Sequence, residues 1–297
     1  MGPGESPAAA PAPTVRRRVR LARGPLTVGE PAPAIEPRLA AGEPYRPDTI
    51  ADGGSVFGFT VRAASVRGLQ KRFVGGPRQD DLCLGVHSAT GTLIAAVADG
   101  VSSAPRADLG AALAVRYAIA AVARHLDEGA IDWSNVFEQA AWALASEAER
   151  AGEKPGALAT TLLVAAVSAS DRDEVEVQVA AVGDSSAFRL QGRNYHPIVG
   201  ESERDDGLVG GSVAALPLDA ADVRTESYAL EPGDVLLLCT DGVALPLAGG
   251  AGELGRTFAR ELVKAPDVVD FARLLDFSRS TYDDDRTLVA VWAPESG

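Results

Sequence analysis

The sequence predicts an α+β fold, a layered sandwich of antiparallel sheets with helices grouped in pairs. Strand-like runs follow one another through short turns, which favours antiparallel pairing over long crossovers. Helical segments come in twos, once after the first strands and once before the last. With 297 residues, 46% of them hydrophobic, the chain can bury a core thick enough for such layers.

The first 52 residues stand apart from the rest. They are rich in Pro, Ala and Gly and carry no sustained period, which predicts a disordered tail before a folded domain at 53–295. The arginines Arg16, Arg17, Arg18, Arg20 and Arg23 read as part of a solvated segment. From Ser55 onward, SVFGFTVRAASV and DLCLGVHS have strand content, and TLIAAVA is a short buried strand. Residues 107–128, ADLGAALAVRYAIAAVARHLDE, are rich in Ala and Leu without proline and predict a helix; a second follows over 134–150. GALATTLLVAAVSA and DEVEVQVAAVGDSSAFRL predict neighbouring strands. In the latter, Val175, Val177 and Val179 alternate with Glu174, Glu176 and Gln178, as in a strand with one wet face. LEPGDVLLLCTDG reads as a turn and a strand, helices are expected near 253–264 and 266–280, and RTLVAVW closes the chain as a strand.

Composition narrows the function. A formal charge of −13 argues against nucleic acid and anionic membrane as partners. No apolar run approaches the ~18 residues needed to span a bilayer. The two cysteines, Cys83 and Cys239, each lie within an apolar run and form no CxxC pair, which predicts a reduced, cytoplasmic setting.

Three buried runs end on aspartates. TLIAAVADG stops on Asp99-Gly100, DVLLLCTDG on Asp241-Gly242, and VQVAAVGDS on Gly183-Asp184. A strand that ends this way can set a carboxylate at the rim of a sheet, with glycine leaving room for a sharp turn. Asp80 and Asp81 before LCLGV, and Asp283, Asp284 and Asp285 before TLVAVW, are further candidates. A single Asp-Gly pair is ordinarily a turn; the repetition is what carries weight. Carboxylates sharing one rim repel unless a cation offsets them, and hard divalent ions with oxygen ligands do so. The three histidines, His87, His125 and His196, are too few and too scattered for a softer site.

In order along the chain, RQDDLCLG, AAVADGV, GALATTLLVAAV, AAVGDSSAFRL, LEPGDVLLLCTDGV and DDDRTLVAV resemble the motif blocks of the metal-dependent Ser/Thr protein phosphatases of type 2C. The resemblance runs from about Gly54 to Trp292. It implies a four-layer α-β-β-α sandwich with two central antiparallel sheets flanked by helix pairs. It implies hydrolysis of phosphoserine and phosphothreonine on proteins by a water that bridges two metal ions, in opposition to a bacterial Ser/Thr kinase.

Carried over by position, the resemblance makes Asp80 the first metal ligand, with Asp81 as the off-by-one alternative. Asp99 bridges two ions and the Gly100 carbonyl adds a ligand. Asp241 and Asp284 complete the pair, and Asp184 holds a third, looser ion with Asp241. The ions are Mn²⁺ or Mg²⁺, and the partner is a phosphoprotein substrate, a Ser/Thr kinase or its targets. Gly75 stands where relatives carry a phosphate-gripping arginine. Arg78 takes that role by proximity, with Arg72 and Lys71 as substitutes. No histidine follows Asp99-Gly100, and Ser186 replaces an arginine in the VGDS block. These departures keep a second reading open, a weak or inactive phosphatase-fold module that binds a phosphoprotein.

Overall fold

The computed structural model describes residues 26–40, 46–169, 175–200 and 213–294. Two antiparallel sheets lie face to face. One has six strands in the order β1 (Thr49–Val56), β2 (Phe59–Val66), β11 (Arg286–Trp292), β10 (Val235–Cys239), β7 (Ser186–Gln191) and β8 (Asn194–Val199). The other has five, β3 (Asp81–His87), β4 (Thr92–Ala98), β5 (Leu162–Ala169), β6 (Val175–Val182) and β9 (Arg224–Leu230). Helices α2 (Ala107–Glu128) and α3 (Trp133–Arg150) cover the five-stranded sheet. Helices α4 (Asp241–Leu247), α5 (Glu253–Glu261) and α6 (Val268–Leu275) cover the six-stranded one. This is the four-layer sandwich the sequence implies.

Each sheet is buried on both faces, which explains the unbroken apolar runs. In β4, Leu93, Ala95 and Val97 pack between the sheets, while Ile94, Ala96 and Ala98 face α2 and α3. In β10, Leu236 and Leu238 pack between the sheets, while Leu237 and Cys239 face the helices on the other side. Each buried aliphatic side chain contributes about 1.5–3 kcal/mol. By length and composition α2 could cross a bilayer; here its apolar face is covered by α3 and the sheet. Asp132 caps α3, accepting from the Asn135 backbone N–H at 3.1 Å.

The pairing sets four strand ends on one rim. Asp81 at the start of β3 faces Ala98 at the end of β4. Cys239 at the end of β10 faces Leu288, and Arg286 at the start of β11 faces Val66 at the end of β2. Asp80 and Asp99 lie just beyond those ends, and Asp241 and Asp284 follow past Thr240 and Asp285.

Several features depart from the sequence reading. The run DEVEVQVAAVGDSSAFRL, expected as one strand, supplies both β6 and β7, which belong to different sheets. SVFGFTVRAASV holds the end of the first strand, the turn and the second strand of a hairpin, with β1 running from Thr49 and Phe57 at φ 51 in the turn. The short helix α1 (Leu69–Val74) and helix α4 were not expected. Within the expected tail, Val28 is 2% exposed and belongs to the core between the six-stranded sheet and its helices, and its backbone N–H bonds Ser278 at 3.2 Å. Residues 26–40 therefore pack along the domain. The arginines at positions 16–23 lie outside the described residues.

Candidate active site

The glycines after Asp99 and Asp241 are required by close approach. A Cβ on Gly100 would lie 2.6 Å from the Ala107 carbonyl oxygen, and one on Gly242 only 1.9 Å from that of Asp285. Gly242 thus lets the start of α4 press against the entry to β11, bringing Asp241 beside the 283–285 run.

Asp80 sits in the centre. It is 1% exposed, and its Oδ2 accepts from the Thr240 and Thr287 hydroxyls, both at 2.7 Å. Burial pushes its pKa well above the carboxylate range, and Asp285 and Asp284 add repulsion that the two threonines only partly offset. Asp99 is raised well above that range too, by burial first and then by Asp80 and Asp241. The Asp99 and Asp241 carboxyl groups act directly on one another, and that interaction favours the proton on Asp99. Asp241 is raised mainly by burial, and its Oδ1 is a buried acceptor without a donor.

Asp81 points the other way. Arg46 Nη1 donates to its Oδ2 at 2.7 Å, and Arg78 Nη2 lies 3.8 Å from its Oδ1. Between the two alternatives of the first block, Asp80 is the one that joins the cluster.

Asp285, one of the three aspartates the sequence offers before TLVAVW, takes part through the backbone rather than as the ligand chosen from that run. It is 2% exposed and accepts from the Gly68 and Gln79 backbone N–H groups, both at 2.6 Å. It thereby ties β11's entry to the segment carrying Asp80. Thr240 and Thr287 were missed, although Thr240 directly precedes Asp241 and Thr287 lies just past Arg286 in DDRT.

Arg78 is a correction. The expected phosphate clamp is 1% exposed and presents no surface to a phosphate. Burial lowers its guanidinium pKa despite Asp81, and Nε and Nη1 have no partner. Arg72 is taken up by Asp48 at 2.6 Å and Asp276 at 2.8 Å. Lys71 is the cation that lines the cleft, a space of about 500 Å³ bounded also by Gln70, Gln79, Ser102 and Asp284. Its ammonium lies 3.2 Å from Asp284 Oδ1 and 3.6 Å from Asp285 Oδ2. A second cleft of about 330 Å³ has Asp184 and Asp241 on its wall, with Phe188, Tyr195 and Pro197. The Gly100 backbone N–H bonds Gln79 at 3.3 Å, which keeps Gly100 beside the Asp80 segment.

The donor set fits hard cations. It is all oxygen, its central carboxyls are forced toward protonation, and one buried oxygen on Asp241 is unsatisfied. The groups are not drawn to coordination distance: among the described residues, no three His, Cys, Asp or Glu side chains could hold an ion as they stand. His87 and His125 bond Asp127 and Asn135, away from the rim. Burial pushes the Cys239 thiol far up, which leaves it inert.

Four layers with carboxylates gathered at one rim match the class that the sequence resemblance implies, the scaffold of metal-dependent protein phosphatases. A family profile described as Protein phosphatase 2C matches residues 67–286, and the chain belongs to that family. Among solved structures, a bacterial serine phosphatase is similar at 17% identity and TM-score 0.58, over 80% of this chain and 98% of that one. RsbX in complex with magnesium is similar at 15% identity and TM-score 0.51, over 82% of this chain and 98% of that one. PppA, a regulatory component of T6SS in Pseudomonas aeruginosa, is similar at 20% identity and TM-score 0.52, over 82% of this chain and all 100% of that one. No curated protein matches the chain.

Proposed function

We propose that the chain hydrolyses phosphoserine and phosphothreonine esters on protein substrates and depends on divalent metal ions to do so. The observation that carries this reading is the convergence of Asp80, Asp99, Asp241 and Asp284. Asp80 and Asp99 in particular stand where burial and mutual repulsion make an unneutralised carboxylate costly. Mn²⁺ or Mg²⁺ are the ions this oxygen set would take, two held by Asp80, Asp99, the Gly100 carbonyl, Asp241 and Asp284, and a third by Asp184 with Asp241. When bound, such ions supply a water of lowered pKa and offset the charge of the phosphoryl oxygens.

The chain's own residues organise the site. Thr240 and Thr287 fix the Asp80 carboxyl, and Asp285 fixes the backbone that leads to it. Lys71 presents positive charge on the cleft wall where a phosphate would enter. With Cys239 buried and no histidine at the rim, attack by water is favoured over a covalent phosphoenzyme. A phosphoprotein, a Ser/Thr kinase or one of its targets, is the partner in this reading, and the cytoplasm is its setting. A phosphatase-fold module that binds a phosphoprotein without turnover is the second reading, favoured by the burial of Arg78, which removes the nearest arginine from the cleft.

Phosphate release from a phosphoserine peptide, with Mn²⁺ and again with EDTA, tests the proposal. Release that requires Mn²⁺ is expected; no release under either condition favours the binding module.

A further inference from the structure

Lys71 stands among groups that a metal site would use. Helix α1 is six residues long and ends at Gly75, which takes the left-handed conformation with φ 80. Arg72 anchors it from outside through Asp48 and Asp276. Successive helical residues point about 100° apart, so with Arg72 held by Asp48 and Asp276, Lys71 is turned to another side, toward Asp284 and Asp285. Its side chain is 11% exposed, and its ammonium reaches both Asp284 and Asp285. Asp285 is pinned by its two backbone donors, while the Asp284 side chain is 49% exposed and its Oδ1 also accepts from the Asp285 backbone N–H at 2.8 Å. Among the described residues, no other Lys or Arg forms an ion pair with Asp80, Asp99, Asp241, Asp284 or Asp285.

We propose that Lys71 is an internal counter-cation of the carboxylate cluster, whose ammonium gives up Asp284 when a divalent ion binds. The inference rests on the reading that this cluster holds divalent ions. Mg²⁺ and its like bind carboxylate oxygens at about 2.0–2.1 Å in near-octahedral geometry. An ammonium on the same carboxyl takes one of its acceptor directions and adds like charge. Even at the dielectric of water, a unit charge about 4 Å from a divalent ion weakens its binding by roughly tenfold or more. The ion pair therefore holds the cluster together without metal and sets a threshold of metal concentration for loading it.

The test measures Mn²⁺ affinity by calorimetry, and melting with EDTA or Mn²⁺, for the full chain and for Lys71→Met, Lys71→Gln and Lys71→Arg. The methionine and glutamine variants should bind Mn²⁺ about tenfold more tightly, melt lower than wild type in EDTA, and gain more on adding Mn²⁺. The arginine variant, which keeps the charge, should stay near wild type. Lys71→Gln keeps a hydrogen-bond donor and decides the matter if the methionine variant does not fold. Equal or weaker Mn²⁺ binding by the uncharged variants, with wild type binding normally, overturns the counter-cation and leaves the metal site standing. Absence of Mn²⁺ binding in wild type and variants alike overturns the metal reading and this proposal with it.

Discussion

The Thr240 hydroxyl donates to the buried Asp80 carboxylate at 2.7 Å, linking the end of β10 to the residue before β3. That bond joins the two sheets at the rim, because β3 and β10 belong to different sheets. The same hydroxyl accepts from the Thr287 backbone N–H at 3.0 Å, so it serves β11 as well. Thr240→Val removes a donor from a buried carboxylate and leaves a buried N–H unpaired. It should destabilise the chain by about 1–3 kcal/mol in urea melts.

Stability without metal should fall as pH rises from the ordinary carboxylate value of 3.8 toward neutrality. Asp80, Asp99 and Asp241 all have raised pKa values in the fold. The folded chain thus keeps protons that the unfolded chain has already released, and each release in the fold is a loss of stability. Asp48 is shifted the other way, but its effect falls below 3.8 and does not mask the trend. Melting in EDTA across this range should show the decline, and saturating Mn²⁺ should flatten it.

Gly242→Ala should be severe. Its Cβ would meet the Asp285 carbonyl oxygen at 1.9 Å, a backbone atom that cannot swing aside. The start of α4 and the entry to β11 would have to separate, at a cost of about 1–3 kcal/mol or more. Lower melting temperature together with weaker Mn²⁺ binding is the expected pair of readouts.

Arg78→Met should lower stability while leaving the Michaelis constant for a phosphopeptide within about twofold. The side chain is 1% exposed and turned to Asp81. A phosphate clamp would show the reverse pattern, a loss worth about 1.5–3 kcal/mol of charge-assisted bonding.

Much of this was legible in the sequence. Residues 107–128 form α2 with the expected ends, because an Ala- and Leu-rich stretch without proline leaves no competing structure. The Asp-Gly ends of β4 and β10 marked the rim, since both faces of those strands are buried and the polar residue had to fall where the sheet stops. The error at Arg78 has a physical cause. Closeness to Asp80 in sequence does not put Arg78 on the rim: β3 starts at Asp81, and before it the backbone bonds Asp285 and Gly100 instead of a neighbouring strand. Lys71 could not be singled out, because the turn of a six-residue helix depends on Asp48 and Asp276, far away in sequence. β1 was lost among the tail because it is an edge strand, mostly exposed, with no apolar alternation to betray it.

The packed segment 26–40 changes the expectation for truncation. Removing residues 1–50 takes away Val28 and also Asp48, which holds Arg67 and Arg72. Such a chain should melt lower and lose activity on a small aryl phosphate through α1. Val28→Ala alone should cost about 1–3 kcal/mol.

The most direct test is turnover of a phosphoserine peptide by Asp241→Asn in saturating Mn²⁺, set beside its melting curve. Asp241 acts on the Asp99 carboxyl and offers a buried, unsatisfied oxygen at the rim. Turnover should fall by orders of magnitude in a chain that still folds, with Mn²⁺ no longer raising its melting temperature as it does for wild type. Wild-type turnover by Asp241→Asn would contradict it.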